Sequence, residues 1–329
     1  MAAPKGKSGW ILTILLLAGL VVGSLLGRKD VSGLVYMDKE KYVVEIKKLK
    51  KYYGDIRGVE NVNMKIREGE VYGFIGPNGS GKSTTIKTIM SLINATSGDI
   101  YINGKEIDKN DLEIKRIVGY LPSEINLYDD LTAKEILDFH ESFYNKKINK
   151  RRKELVKLLK LDESKKIEEL SLGNLKKLGI ILALMHEPKI LILDEPTSGL
   201  DPIVQNIFYE LLLEEKKKGT TILYSTHILS EVSKICDRIG FIKDGVIIKE
   251  DSIKNIEENN ITYLTIESLE IDKIKKDLKM KVISENNTSV KFINTLKPNE
   301  LLEKLSKYNI NKLLIEEVSI EDLFIEYYK

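Results

Sequence analysis

The chain lacks what a stapled or strongly charged protein needs. Its 329 residues hold one cysteine, Cys236, which excludes an intramolecular disulfide framework and suits a reducing compartment. Cys236 itself reads as a small buried hydrophobe on a helix. An excess of either charge is also missing: 52 Lys and Arg against 50 Asp and Glu leave a net charge of +2, so no strong field directs the chain to nucleic acid or an acidic surface. The basic run 146–153 has no interleaved aromatics on which bases could stack and reads as a solvated loop and helix start. Charge is absent altogether from residues 9–27. The length suits two domains with a sizeable core.

What is present is concentrated chemistry. Gly76-Pro77-Asn78-Gly79-Ser80-Gly81-Lys82-Ser83 satisfies G-x-x-x-x-G-K-[ST]. The apolar run Val71–Ile75 before it reads as a buried strand, and Thr84–Met90 after it as the beginning of a helix. Successive backbone N–H groups and a helix N-terminus there form a concave anion site, and glycines let the backbone approach a ligand where a Cβ would clash. Lys82 is placed to reach the β/γ-phosphates and the Ser83 hydroxyl to coordinate Mg²⁺. A glycine-rich turn matching by chance is the competing reading.

A second element argues against chance. Ile190-Leu191-Ile192-Leu193-Asp194-Glu195 is an apolar strand ending in two carboxylates, continuous as a parallel strand covered on both faces must be. Ligands of open α/β sheets bind at the carboxyl ends of strands, so Asp194 is expected beside the Mg²⁺ and Glu195 beside the attacking water. Together with the phosphate loop this describes a nucleoside-triphosphate hydrolysis site.

From Tyr53 to His227 the sequence resembles the ATP-binding cassette (ABC) family. Leu170-Ser171-Leu172-Gly173-Asn174 is similar to the family signature Leu-Ser-Gly-Gly-Gln, Pro196–Pro202 to the D-loop, and Ser225-Thr226-His227 to the switch histidine at a strand end. Tyr53, before Gly54, stands where the family stacks adenine. The resemblance implies ATP and Mg²⁺ as cofactors, phosphate-loop contacts running through Thr84, and Glu195, His227 and Lys82 as catalytic residues. It also implies a homodimer, since one cassette is present, with Ser171 and Gly173 of one subunit facing the ATP held by Lys82 of the other. Two departures stand out. Leu172 replaces the second signature glycine and Asn174 the glutamine. The metal-coordinating glutamine expected after Gly119-Tyr120-Leu121-Pro122 is Ser123, whose shorter hydroxyl suits direct metal contact poorly, and Glu124 next to it is the candidate to substitute.

The expected fold is α/β: a P-loop cassette over 42–250 with a mixed sheet core, an antiparallel β subdomain and a helical subdomain. Tyr42–Ile66 reads as β-rich and 121–170 as helical, with a capping box at Thr132-Ala133-Lys134-Glu135. Ser171 falls at the start of the next helix, where the dipole favours phosphate. Pro202 and Gly219 bound a further helix, and Asp244-Gly245 joins two strands as a hairpin. Residues 251–329 read as a small α+β accessory domain in the order β-α-β-β-α-β, closed by a helix at 320–328. It contains no His/Cys cluster or glycine loop and reads as a packing or dimer-supporting unit.

Residues 1–36 stand apart in composition, rich in Gly and Leu and without Asn. The nineteen uncharged residues 9–27 span roughly 28 Å as a helix, close to a hydrocarbon core. Lys5 and Lys7 precede them, Arg28 and Lys29 follow, and Trp10 suits an interface. A signal peptide is the competing reading, but the run exceeds a usual apolar region and no cleavage site follows. The expectation is one membrane span, appended to a cassette on the cytoplasmic face. Gly19, Gly23 and Gly27 would form one close-packing face on it.

The loop 76–85 (Gly-Pro-Asn-Gly-Ser-Gly-Lys-Ser-Thr-Thr), the Gly119–Glu124 stretch and the C-terminal extension resemble the branch of the family that serves ABC-2-type permeases. Members of that branch export drugs, peptide antibiotics or polysaccharides. One span cannot form a path, so a separate permease is implied. The rival readings are a non-transport ATPase acting on ribosomes or chromosomes, and a membrane-tethered signalling ATPase. Neither the paired cassettes nor the interrupting coiled coil of the first class occurs here.

Overall fold

The structure, a computed structural model, describes residues 41–107, 112–144, 148–258 and 262–317. The run 9–27 and the helix expected at 320–328 lie outside them. Among the described residues no helix is long and apolar enough to cross a membrane.

β1 (Tyr42–Tyr53) and β2 (Ile56–Arg67) form a long antiparallel ribbon, turned at Gly54 with φ +61. β3 (Val71–Ile75) is buried at every residue, as the two-sided apolar pattern requires. It runs through residues 76–81 into α1 (Lys82–Ile89). β4 (Ser97–Ile102), β5 (Lys105–Glu106), α2 (Leu112–Ile117) and β6 (Val118–Leu121) follow. The stretch expected to be helical is so only in part: it holds α3 (Ala133–Glu141), α4 (Asn149–Leu159) and a 3₁₀ turn at Ile167–Glu169, while 122–132 and 161–166 are irregular. Thr132 caps α3 reciprocally with Glu135, which fixes that boundary where the sequence places it.

Next come α5 (Leu172–Leu184), β7 (Ile190–Asp194), α6 (Pro202–Lys217), β8 (Thr221–Thr226), α7 (Leu229–Ile235), β9 (Arg238–Lys243), β10 (Val246–Ser252) and α8 (Ile253–Glu258). Asp201 caps α6 through two backbone N–H groups, with Pro202 in the first turn, where its missing N–H costs nothing. Asp244 (φ +52) and Gly245 (φ +75) make the β9–β10 turn, the positive angles that such a two-residue hairpin demands.

Ten strands share one sheet in the order β5-β4-β1-β2-β10-β9-β3-β8-β7-β6. β9, β3, β8, β7 and β6 are parallel, and the ribbon side is antiparallel, so the sheet is mixed. The central strands divide their side chains between two cores. Ile190 and Ile192 pack into one with Tyr72 and Phe74, while Leu191 and Leu193 pack into the other with Val71, Ile75 and the α5 residues Leu178 and Ile181. Each such side chain contributes about 1.5–3 kcal/mol by leaving water, which pins the register and so the carboxyl ends of β3, β7 and β8.

After Ser252 the sequence builds its own small core. β11 (Thr262–Glu267), α9 (Ile271–Leu278), β12 (Val282–Glu285), β13 (Ser289–Asn294), α10 (Pro298–Leu305) and β14 (Lys312–Glu317) form a four-stranded antiparallel sheet ordered β12-β13-β11-β14. Leu264, Ile266, Val290 and Phe292 bury one sheet face against Ile274, Leu278, Leu301 and Leu305 of the two helices, the arrangement of a split βαβ unit.

Candidate active site

The phosphate loop is shaped by contacts that leave no room for side chains. Gly76 N–H donates to Thr226 O at 3.4 Å, and a Cβ on Gly76 would lie 2.5 Å from Ile242 O. Gly81 has φ +109, and its Cβ would meet Gly58 O at 2.8 Å. Ser80 O accepts from Gly245 N–H at 2.9 Å, so the β9–β10 turn braces the loop from behind. Gly81 precedes α1 without any side-chain cap, which leaves the first N–H groups of the helix for an anionic ligand.

Lys82 is buried, and its Nζ donates to Gly76 O at 2.7 Å and to Pro77 O at 3.3 Å. The same ammonium stands 3.4 Å from Glu195 Oε1. Glu195 follows the last residue of β7 with φ +48, a left-handed conformation costly for a residue with a Cβ. Its N–H donates to Ser225 O at 3.0 Å, which holds that turn against β8. Glu195 Oε2 lies 2.7 Å from His227 Nδ1, and Oε1 is buried without a hydrogen-bond partner. Lys82, Glu195 and His227 are thus brought together by three adjacent parallel strands.

Asp194 is fully buried; Oδ1 accepts from Ser225 Oγ at 3.0 Å, whereas Oδ2 has no hydrogen-bond partner. An orphaned buried carboxylate oxygen fits a hard divalent cation. No group of three or more His, Cys, Asp or Glu side chains among the described residues could hold a metal, so a cation here must take ligands from hydroxyl or phosphate oxygens as well. Half-buried Ser83 on α1 can offer such a hydroxyl.

Three further expectations meet the structure differently. Tyr53 is 46% exposed at the end of β1. A Cβ on Gly58 would strike both Tyr53 Cε2 (2.9 Å) and Thr84 Cγ2 (3.0 Å), so Gly58 is what lets the ring approach the helix that follows the phosphate loop. Ser171 caps α5, accepting from Asn174 N–H at 3.4 Å, and is exposed. Gly173 lies against Gly199 O, and Leu172, 68% exposed, lies against Gly199, which has φ +80. The signature therefore abuts the D-loop of its own chain, not the phosphate loop. Glu124 is exposed, while the backbone carbonyl of Ser123 accepts from Lys176 Nζ.

Two residues of the site carry no motif. Glu231 on α7 is buried and accepts from Thr197 Oγ1 (2.5 Å), Tyr224 OH (2.9 Å) and Thr226 Oγ1 (2.8 Å), and hydrogen-bonds Tyr209 as well. Thr197 is two residues after Glu195, and Thr226 precedes His227, so one carboxylate ties together the turns that carry Glu195 and His227. Lys176 on α5 is 2% exposed. Burial pushes its ammonium down to about 8, against the attraction of Asp194 and Glu195. Cys236 is a buried free thiol pushed well up by burial, as a structural hydrophobe should be.

Residues 59–198 match the family described as ABC transporter. The lantibiotic transport ATP-binding protein SrtF of Streptococcus pyogenes is 42% identical over 226 residues, covering 66% of this chain and 95% of that protein. The bacitracin transport ATP-binding protein BcrA of Bacillus licheniformis is 36% identical over 228 residues, or 68% of this chain and 74% of that one. Among solved structures, the dimeric, post-hydrolysis ATP-binding cassette MJ0796 bound to ADP and Pi superposes with a TM-score of 0.58 at 29% identity, covering 64% of this chain and 98% of that one.

Proposed function

The chain belongs to the ABC transporter family of ATP-binding ATPases, and from that premise we propose that it powers a separate membrane permease of the ABC-2 export type as an ATP-closed homodimer. The observation that carries the catalytic half is the buried Glu195 Oε1, in ion-pair contact with Lys82 but without a hydrogen-bond partner, with Oε2 held by His227. The names of SrtF and BcrA, a lantibiotic and a bacitracin transport ATP-binding protein, support the transport half.

In this reading the loop N–H groups and Lys82 bind the β- and γ-phosphates, and Tyr53 stacks on the base. Asp194 and the Ser83 hydroxyl would hold a Mg²⁺ ion, which would supply charge neutralisation for the transferred phosphoryl group. Glu195 Oε1 accepts a hydrogen bond from the attacking water; as the new P–O bond forms and the bond to ADP breaks, the water's proton passes toward this carboxylate. His227 fixes the carboxylate's orientation through Oε2. Exposed Ser171 and half-buried Gly173, at the start of α5, meet the γ-phosphate held by the partner subunit. Residues 9–27 anchor the chain to the membrane and the cassette lies at its cytoplasmic face, while the split βαβ unit supports packing or dimerisation.

Purification from membranes tests the proposal: a multi-span permease should accompany the chain, and recovery with ribosomes instead would sink it. A chain begun at Met37 should leave the membrane fraction yet bind ATP with unchanged affinity.

A further inference from the structure

Lys176 is a long cationic side chain buried inside the cassette, and the chemistry above leaves it unused. A buried ammonium costs several kcal/mol unless it is partnered, so its partners matter. Nζ donates to Pro122 O and to Ser123 O, both at 3.1 Å. Asp194 and Glu195 attract the same charge. Lys176 therefore touches or feels three things at once: the loop after β6, the carboxylates of its own site, and α5, on which it sits.

An apolar contact fastens the same loop to the same helix. A Cβ on Gly179, about one turn beyond Lys176, would lie 2.3 Å from Ile125 Cδ1 and 2.8 Å from Leu121 Cδ1. The absence of a side chain there lets Leu121 and Ile125 seat directly on α5. With one polar and one apolar clamp, residues 121–125 and α5 can shift only together. The exposed start of α5 carries Ser171 and Gly173.

We infer that Lys176 is a positioning residue that links the two ATP sites of the dimer, tying the 122–123 loop of its own site to the helix that presents Ser171 and Gly173 to the other. The inference rests on the dimeric ATPase reading. The side chain does not touch nucleotide; it transmits position by holding the 122–123 carbonyls to α5.

The test compares full-length wild type, Lys176→Met and Lys176→Gln. Methionine keeps the buried volume but removes charge and donors; glutamine restores donors alone. ATP affinity is read with a fluorescent ATP analogue, dimerisation by size-exclusion chromatography, and hydrolysis as a function of ATP concentration. Lys176→Met should bind the analogue with wild-type affinity, lose about 5- to 150-fold in maximal rate, and show a Hill coefficient falling to about 1. Lys176→Gln should lie between. A Met variant that keeps wild-type rate and cooperativity overturns the inference. So does one whose rate falls only because analogue binding falls equally, which marks a local defect of its own site. A wild type that hydrolyses ATP as a monomer with no cooperativity overturns the dimer reading beneath it, a result visible before any variant is made.

Discussion

Glu195 Oε2 and His227 Nδ1 lie 2.7 Å apart across the ends of two adjacent parallel strands. The contact occupies one oxygen of the carboxylate and leaves the other beside Lys82. This division of labour within one side chain makes the first prediction asymmetric.

Glu195→Gln keeps the shape and the neighbours but removes the proton acceptor. Hydrolysis should fall about 10²–10⁴-fold, with ATP binding retained and an ATP-bound dimer accumulating on size-exclusion chromatography. Lys82→Ala should instead weaken binding itself, so the double variant should stay monomeric with ATP. Undiminished turnover in Glu195→Gln rules out its assignment.

Gly58→Ala places a methyl group 2.9 Å from the Tyr53 ring and 3.0 Å from Thr84 Cγ2. The ring, being exposed, is what gives way. Nucleotide affinity should drop by up to the roughly 1–3 kcal/mol that base stacking supplies, while the thermal midpoint changes little. Equal affinity in titrations of the two proteins would show that Tyr53 has no part in binding.

Glu231→Ala leaves the hydroxyls of Thr197, Tyr224 and Thr226 without their shared acceptor. A buried donor left unpaired costs about 1–3 kcal/mol, so denaturant unfolding should show a loss of at least about 2 kcal/mol. Glu231→Gln should recover most of the stability but not all of the rate, because the turns bearing Glu195 and His227 lose a charged anchor. Full activity with Gln would confine Glu231 to a stabilising role.

Lys176 also gives the fold a pH dependence. Its proton is held to about 8 in the folded chain against an ordinary 10.5. Between those values the unfolded chain binds more protons, so this group's contribution to stability rises with pH. Lys176→Met should be the more stable protein near neutrality, and its advantage should shrink by about 2 kcal/mol between pH 7 and pH 10. Parallel stability curves from denaturant titrations would contradict this.

If Glu124 takes over the missing glutamine's task, Glu124→Ala should lower permease-stimulated hydrolysis more than Ser123→Ala. The structure gives the loop backbone a separate task, since the Ser123 carbonyl belongs to Lys176. Wild-type behaviour in both variants would remove these side chains from metal contact and coupling.

The phosphate loop and the β7 carboxylates were legible in the sequence because each is a contiguous string whose local geometry follows from glycine, strand burial and helix start. Pro202, Gly219, Thr132 and Asp244-Gly245 were legible for the same reason: caps and turns are decided within a few residues. Gly58, Lys176 and Glu231 were not. Their roles come from groups distant along the chain, although an isolated glycine in a strand is itself a sign of close backbone approach. The irregular 122–132 stretch went unseen because contacts with α5, not local propensity, decide its path.

The proposed stacking of a base on Tyr53 has a consequence for fuel choice. An aromatic ring reads the flat face of a base, which every purine and pyrimidine has, and is blind to the hydrogen-bonding edge that tells them apart. Here the ring also has the Lys51 ammonium 4.9 Å from its centroid, a charge that adds grip and no base identity. Selectivity therefore falls to the triphosphate end. In that reading the chain should run on guanosine or inosine triphosphate nearly as well as on ATP, which hydrolysis assays with the three nucleotides check.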